Sequence, residues 1–153
     1  MKAHRLTRTQ LLPISIMEAW DFFSSPMNLA DITPPWLGFR VMSEPPAKMY
    51  EGLIIQYNVT PLLGFPLWWV TEITHVREPF FFVDEQRKGP YAMWHHEHHF
   101  EETADGVLMT DTVHYILPFS AITQPVLGGY VAKKLDDIFD HRYRTLETRF
   151  KTL

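Results

Sequence analysis

The chain has 153 residues, of which 46% are apolar and 14% aromatic, and it contains no cysteine. This length and composition predict one domain, spanning residues 1–153, with a substantial core. The missing cysteines exclude disulfides, thiolate metal sites and cysteine nucleophiles. A formal net charge of −4 without a basic cluster argues against a nucleic-acid partner.

The N-terminal residues carry charges and lack the apolar stretch of a signal peptide. No uncharged apolar run approaches the roughly 20 residues that a membrane-spanning helix requires. The most apolar stretch, TPLLGFPLWWV, is short and is interrupted by Pro61, Gly64 and Pro66. We therefore expect a cytoplasmic protein with no integral membrane association.

Capping signals predict two short helices after a first strand. Ser15 and Glu18 form the S-x-x-E capping box, in which each side chain satisfies a free backbone N–H group at a helix start. Ser25 followed by Pro26 repeats a helix-start signal, and the proline pair at 34–35 ends the second helix because proline cannot continue it.

The first strand and the middle of the chain have the period-two pattern of β-strands, with β-branched and aromatic residues between turn residues. The turns between successive runs are short, so the strands should pair as an antiparallel meander. The predicted strands are Ala3–Leu12, Phe39–Ser43, Gly52–Val59, Leu67–Val76, Phe80–Gln86, Tyr91–Glu102 and Val107–Leu117.

Beyond Pro118 apolar residues recur at helical spacing and predict a long C-terminal helix. Its predicted buried face consists of Val126, Val131, Leu135, Ile138, Phe139, Leu146 and Phe150. A glycine pair at 128–129 disfavours helix by about 1 kcal/mol per glycine. We therefore expect a late helix start or a flexible entry turn.

These elements bury their apolar faces best if the sheet curves around the long helix. The sequence thus predicts an α+β helix-grip fold, with an antiparallel sheet of six or seven strands and two short helices after the first strand. Space between such a sheet and its helix is a natural cavity.

The stretch AMWHHEHHF, Ala92–Phe100, holds four of the eight histidines. Successive side chains of a strand point to opposite faces, so the stretch divides into two sets. The aromatic and amphipathic set is assigned to the interior: Trp94, His96, His98 and Phe100. The polar set is assigned to solvent: His95, Glu97 and His99.

The next strand divides in the same way, and its interior set is Met109, Asp111, Val113, Tyr115 and Leu117. A tight hairpin between Thr103 and Gly106 would place residues whose numbers sum to 209 opposite each other. His98 then faces Asp111, and His96 faces Val113.

A buried carboxylate is costly unless it is paired, and His98 is placed to pair with Asp111. We favour a structural or ligand-orienting role for this pair. The alternative is a general acid/base pair, in which Asp111 fixes the imidazole tautomer. No catalytic residue is assigned, and His98 and Asp111 are the candidates. A serine nucleophile is disfavoured because the chain has no G-x-S-x-G motif.

His96 and His98 also have the His-x-His spacing of metal ligands, with Zn²⁺ as the expected ion. Together with Glu102 and Gly106 they partly match the first motif of cupin metal sites. The second cupin motif is missing, and a long C-terminal helix does not suit a jelly roll. We therefore assign no metal and no cofactor, and a histidine metal site remains an alternative.

Four blocks of the sequence, together with the order of elements, are similar to a known superfamily: ITPPW, GFPLWWVTEIT, EPFFFVDEQRKGPYAMWHHEHHFE and MTDTVHYILPF. The chain resembles the START-like, helix-grip (SRPBCC) superfamily, which includes Bet v 1 allergens, polyketide cyclases and lipid-transfer domains. Within it the likeness is to small bacterial cyclase/dehydrase-like ligand-binding proteins. The resemblance implies a deep apolar cavity for a hydrophobic small molecule, and it does not imply one shared activity.

We expect a protein that binds a lipid, polyketide or aromatic molecule, as a monomer or homodimer. The predicted ligand-binding residues are Trp94, His96, His98, Asp111, Tyr115, Met109, Trp69 and Tyr57. Further pocket candidates are Thr71, Ile73, Asp84, Gln86, Trp36 as an apolar lid, and Tyr130 and Phe139 as a back wall. The alternatives are a cyclase or dehydratase that uses His98 and Asp111, and an interaction module with a vestigial cavity.

Overall fold

The computed structural model describes residues 2–62 and 64–151, including all of their side chains except those of residues 61 and 62. Within these residues the chain forms seven strands, three α-helices and one 3₁₀ turn. In chain order they are β1 His4–Leu12, α1 Ile16–Phe23, α2 Pro26–Asp31, the 3₁₀ turn Pro35–Leu37, β2 Arg40–Val41, β3 Leu53–Leu62, β4 Phe65–Arg77, β5 Phe81–Lys88, β6 Met93–Thr103, β7 Gly106–Ile116 and α3 Ser120–Arg149.

All seven strands pair antiparallel in one sheet, in the order β1-β7-β6-β5-β4-β3-β2. Strands β2 to β7 follow one another as hairpins, and β1 joins the sheet beside the last strand. This sheet curves around α3, which confirms the predicted α+β helix-grip fold. Every strand end lies within three residues of its predicted position.

The start of α3 differs from the prediction. The helix begins at Ser120, well before the glycine pair, so the expected late start is wrong. Phe119 adopts a left-handed backbone conformation, with a φ of 51°, and reverses the chain direction after β7. Its carbonyl then accepts the backbone N–H groups of Ile122 and Thr123 at 2.9 and 3.1 Å, which begins the helix.

The glycine at position 128 has a packing role inside α3. A Cβ atom at Gly128 would lie 2.2 Å from the amide nitrogen of Gln124, whose side chain folds across this part of the helix. Gln124 Oε1 in turn accepts a hydrogen bond of 2.7 Å from His4 Nε2 on the edge strand β1. The glycine therefore costs helix propensity but makes room for a contact between α3 and the sheet.

The buried face of α3 is smaller than predicted and contains an unexpected charged residue. Leu135, Phe139 and Leu146 are buried as predicted, whereas Val131 and Ile138 are partly buried and Phe150 lies just beyond the helix end. Val126 is 76% exposed, because the first turns of α3 lie beside the mouth of a cavity rather than on the sheet. Arg142 is buried on the same face as the three apolar residues.

Three clusters of buried apolar residues surround the space between the sheet and α3. One packs α1 against β6 and β7, and it includes Trp20, Phe100 and Leu146. The second joins β6 and β7 to the middle of α3. The third lies on β3 and β4. The space between these clusters is the cavity described below.

The capping box of α1 is present as predicted. Ser15 Oγ accepts the N–H of Glu18 at 3.2 Å, and the Glu18 carboxylate accepts the N–H of Ser15 at 2.8 Å. Ser25 precedes α2 but makes no capping hydrogen bond with its side chain.

We therefore predict that Ser15→Ala lowers the free energy of unfolding by about 1 kcal/mol, the usual contribution of an N-cap side chain. Urea denaturation followed by circular dichroism measures the change. Ser25→Ala is the matched control, and its effect should be clearly smaller. Equal effects of the two substitutions would contradict the assigned role of Ser15.

Candidate functional site

A cavity of about 310 Å³ lies between the curved sheet and α3. Residues of all three apolar clusters contribute to its wall, among them Phe22, Ile55 and Leu135. The volume is within the range of roughly 300–1,000 Å³ that is usual for small-molecule sites. The cavity is large enough to hold an organic ligand and is mostly apolar.

The mouth of the cavity is formed by exposed apolar residues. Trp36, Leu67, Leu127 and Tyr130 each line the cavity and are 37–45% exposed. Lys134 Nζ lies 4.5 Å from the centre of the Trp36 ring, which links α3 to the 3₁₀ turn through a cation–π contact. Trp36 therefore lies at the mouth, as expected of a lid.

Five of the eight predicted ligand-binding residues lie on the cavity wall: Trp94, His96, His98, Trp69 and Tyr57. The other three, Met109, Asp111 and Tyr115, are not among the described residues that line the cavity. Met109 and Tyr115 are buried in the apolar clusters on β7, and Asp111 lies behind the histidines. Of the two back-wall candidates, Phe139 lies on the wall and is buried, whereas Tyr130 is at the mouth.

Three adjacent strands bring the polar wall residues together. In β6 and β7, His98 pairs with Asp111 and His96 with Val113, which confirms the predicted register. In β5 and β6, Asp84 pairs with His96 and Phe82 with His98. Asp84 and Asp111 therefore flank the two histidines from opposite sides.

The hydrogen bonds of the histidines run diagonally between strands. His98 Nε2 donates to Asp84 Oδ2 at 2.7 Å, and His96 Nε2 donates to Asp111 Oδ1 at 2.9 Å. The predicted contact of His98 with Asp111 is present at ion-pair distance, and the hydrogen bond of His98 goes to Asp84. His98 Nδ1 lies 3.1 Å from Asp111 Oδ1, but it makes no hydrogen bond to any described residue. Each ring lies near both carboxylates, and its hydrogen bond goes to the diagonal one rather than to the one directly opposite.

Arg142 of α3 completes what we call the histidine–aspartate cluster: Asp84, His96, His98, Asp111 and Arg142. Its Nη2 atom lies 3.3 Å from Asp111 Oδ1, and the guanidinium also contacts the sulfur of Met109. The prediction missed Arg142. Its spacing could have indicated that it is buried, because it stands three residues after Phe139 and four before Leu146 within the apolar face of α3.

The neighbours of each carboxylate keep it ionised. Burial raises the pKa of Asp111, but the Arg142 guanidinium and the hydrogen bonds of the histidines outweigh burial and hold that pKa well below its usual range. Burial likewise raises the pKa of Asp84, and its electrostatic interactions with His96 and His98, together with the hydrogen bond from His98, bring it below the usual value.

The two histidines differ in protonation. Burial lowers the pKa of both rings. At His98 the close contacts with Asp111 and Asp84 outweigh burial and raise the pKa, whereas at His96 burial and the neighbouring His98 charge keep the pKa low. A proton held by the two histidines is therefore favoured on His98 rather than on His96.

Two further polar side chains of the wall are phenols. Burial, with a smaller contribution from the Asp84 carboxylate, raises the pKa of Tyr57, and burial raises the pKa of Tyr91. Both hydroxyls therefore remain protonated donors at neutral pH. Gln86, a predicted pocket candidate, instead fastens the loop between β5 and β6, because its amide donates to the carbonyl of Tyr91 at 2.7 Å.

The polar set of β6 lies on the outer face of the sheet, as predicted. His95 Nδ1 lies 2.7 Å from Glu85 Oε1, and His99 Nε2 lies 2.8 Å from Glu97 Oε2. His95 and Glu97 are partly exposed and His99 is exposed. Thr112 of β7 alternates onto the same outer face but is buried between its neighbours on β1 and β6.

Comparison with solved structures agrees with this fold. Over 95% of its length the chain resembles a protein from Mycobacterium smegmatis, with 20% identity, a TM-score of 0.65 and 92% of that chain covered. Ginseng major latex-like protein 151 from Panax ginseng matches with a TM-score of 0.69 and 13% identity over 98% of this chain and 99% of its own.

A protein from Thermus thermophilus matches with a TM-score of 0.65 and 16% identity over 97% of both chains. The sequence matches no family model and no curated protein. The likeness to these three structures shows a shared fold, a curved antiparallel sheet around a C-terminal helix. Within the described residues, none of the helices is long and apolar enough to cross a membrane.

We predict that Asp111→Asn lowers the free energy of unfolding by about 3–5 kcal/mol, because it removes the carboxylate that pairs Arg142. The exposed turn residue Asp105 provides the control, and Asp105→Asn should leave stability nearly unchanged. Urea denaturation of both variants measures the difference.

The same comparison has a defined pH dependence. The pKa of Asp111 is lower in the folded protein than the value of about 3.9 in an unfolded chain. Its contribution is therefore fully present above the unfolded pKa and is lost as pH falls toward the folded pKa. Asp111 also raises the pKa of His98, so the stability gap between wild type and Asp111→Asn should increase as pH falls to the unfolded histidine pKa of about 6.5. The gap should then stay constant and should narrow below about pH 4. A gap that widens below pH 4 would contradict the charge assignment.

Proposed function

We propose that the protein binds a hydrophobic small molecule, of lipid, polyketide or aromatic type, in the cavity between the sheet and α3. The observation that carries this proposal is the cavity itself, with an apolar wall, an exposed apolar mouth and one buried polar group of residues. An apolar pocket with a small number of convergent polar groups is typical of ligand sites, because the apolar wall supplies affinity and the polar groups orient the ligand.

The histidine–aspartate cluster is the proposed contact for the polar end of the ligand. Asp84 is 17% exposed at its side chain and lines the cavity, so its carboxylate is available to a ligand hydroxyl. Arg142 also lines the cavity, and its buried Nε has no hydrogen-bond partner among the described residues. A ligand with one oxygen-bearing end and an apolar body would match this arrangement.

We predict that Val131→Trp weakens binding of an apolar fluorescent probe at least roughly tenfold, because the larger side chain occupies cavity space on the wall. Val126→Trp is the matched control on the same helix, since Val126 is 76% exposed and should tolerate the change. Fluorescence titration of both variants gives the dissociation constants. Unchanged affinity of Val131→Trp would contradict binding in the cavity.

A second candidate function is an acid/base enzyme of cyclase or dehydratase type. The observation that favours it is the hydrogen bond of 2.7 Å between His98 and Asp84 on the cavity wall, which pairs a proton donor with a carboxylate. In this mechanism Asp111, the partner predicted for His98, would contact only the ring nitrogen that is not bonded to Asp84.

The two candidates predict different effects of His98→Gln on a molecule found bound to the protein. Enzyme function predicts that conversion of the molecule stops while its affinity changes little. Binding alone predicts no conversion by wild type and weaker affinity in the variant. Mass spectrometry of the incubated molecule distinguishes these results, with the outer-face variant His99→Gln as the control.

A further inference from the structure

The two histidines of the cluster share an arrangement that simple hydrogen bonding does not require. Each ring presents one nitrogen to Asp111 and the other to Asp84. His96 Nε2 and His98 Nδ1 lie 2.9 and 3.1 Å from the same Asp111 oxygen. His96 Nδ1 and His98 Nε2 lie 3.6 and 2.7 Å from the same Asp84 oxygen.

Asp111 occupies the position of a supporting carboxylate. A histidine that binds metal usually directs its other ring nitrogen at a carboxylate, which fixes the ring orientation and raises its basicity. Asp111 does this for both rings at once, is 2% exposed, and is itself held by Arg142. The nitrogens left over are the two that converge on Asp84.

The spacing of the converging atoms suits a single metal ion. Bonds of about 2.0–2.2 Å from a tetrahedral metal place its ligand atoms about 3.4 Å apart. The ligand atoms of Asp84, His96 and His98 all lie within 4.8 Å of one another. The separations of 3.6 and 2.7 Å from Asp84 bracket the required value, so small side-chain rotations would admit an ion.

Charge also favours a cation at this point. Histidine binds metal as the neutral imidazole. When both rings are neutral, as metal binding requires, the two carboxylates and the Arg142 guanidinium leave one net negative charge. A cation bound close to Asp84 would then replace the histidine proton in compensating that charge.

From this geometry we propose that Asp84, His96 and His98 bind a divalent first-row transition metal ion such as Zn²⁺, with Asp111 supporting both imidazoles. Two histidines and one carboxylate are a common ligand set for such ions. All three ligands lie on the cavity wall, so the remaining coordination positions face the cavity. This site does not depend on which molecule the cavity holds.

The test is titration of chelator-treated full-length protein with Zn²⁺ and with Co²⁺, followed by calorimetry and by the visible spectrum of Co²⁺. Wild type should bind one ion per chain. His96→Gln, His98→Gln and Asp84→Asn should each weaken binding at least roughly tenfold, since even loss of a supporting residue typically costs 10–100-fold. His95→Gln and His99→Gln are matched controls on the outer face of the same strand and should bind as wild type does.

Absence of a one-to-one site in wild type would overturn the proposal, and so would equal losses in the inner and outer histidine variants. Near-UV circular dichroism establishes whether each variant is folded. Should an inner variant fail to fold, anomalous diffraction from a wild-type crystal soaked in Co²⁺ decides the question. A peak between Asp84, His96 and His98 supports the site, whereas a peak only on the outer face, or none, overturns it.

Discussion

The structure depends on one buried carboxylate, Asp111. A carboxylate that is 2% exposed is unfavourable unless charges and hydrogen bonds compensate for its lost hydration. His96 and His98 supply that compensation from the neighbouring strand, and Arg142 supplies it from α3. Satisfying Asp111 therefore fixes three separate features: the direction of the two rings, the position of α3 over the sheet, and the orientation of the remaining histidine nitrogens toward the cavity.

Much of the fold follows from local patterns. Alternation along β6 and β7 predicted which side chains face inward, and the tight turn at 103–106 fixed the register, so the positions of His98 and Asp111 could be derived. The start of α3 could not be derived, because propensity penalises Gly128 while its packing with Gln124 is a tertiary effect. The exposure of Val126 could not be derived either, because helical spacing does not show which turns of α3 lie on the sheet.

The site was harder to predict than the fold. The residues opposite His98 followed from register, but its hydrogen-bond partner did not, because ring rotation decides between direct and diagonal neighbours. Predicting the position of Asp84 beside the histidines required the register of a second hairpin, β5–β6. Arg142 required recognition that a charged residue within an apolar helical face is buried and needs a partner. Site chemistry of this kind arises between elements, whereas periodicity describes each element alone.

We propose that the cavity holds an apolar molecule whose polar end contacts the histidine–aspartate cluster. Native mass spectrometry of gently purified protein, followed by denaturation and solvent extraction, is the first test of this proposal. We expect a reproducible mass increase from one apolar small molecule with an oxygen-bearing end, recovered in near-stoichiometric amount. Protein that is reproducibly free of any such molecule, and that takes none up from lipid or aromatic mixtures, would contradict it.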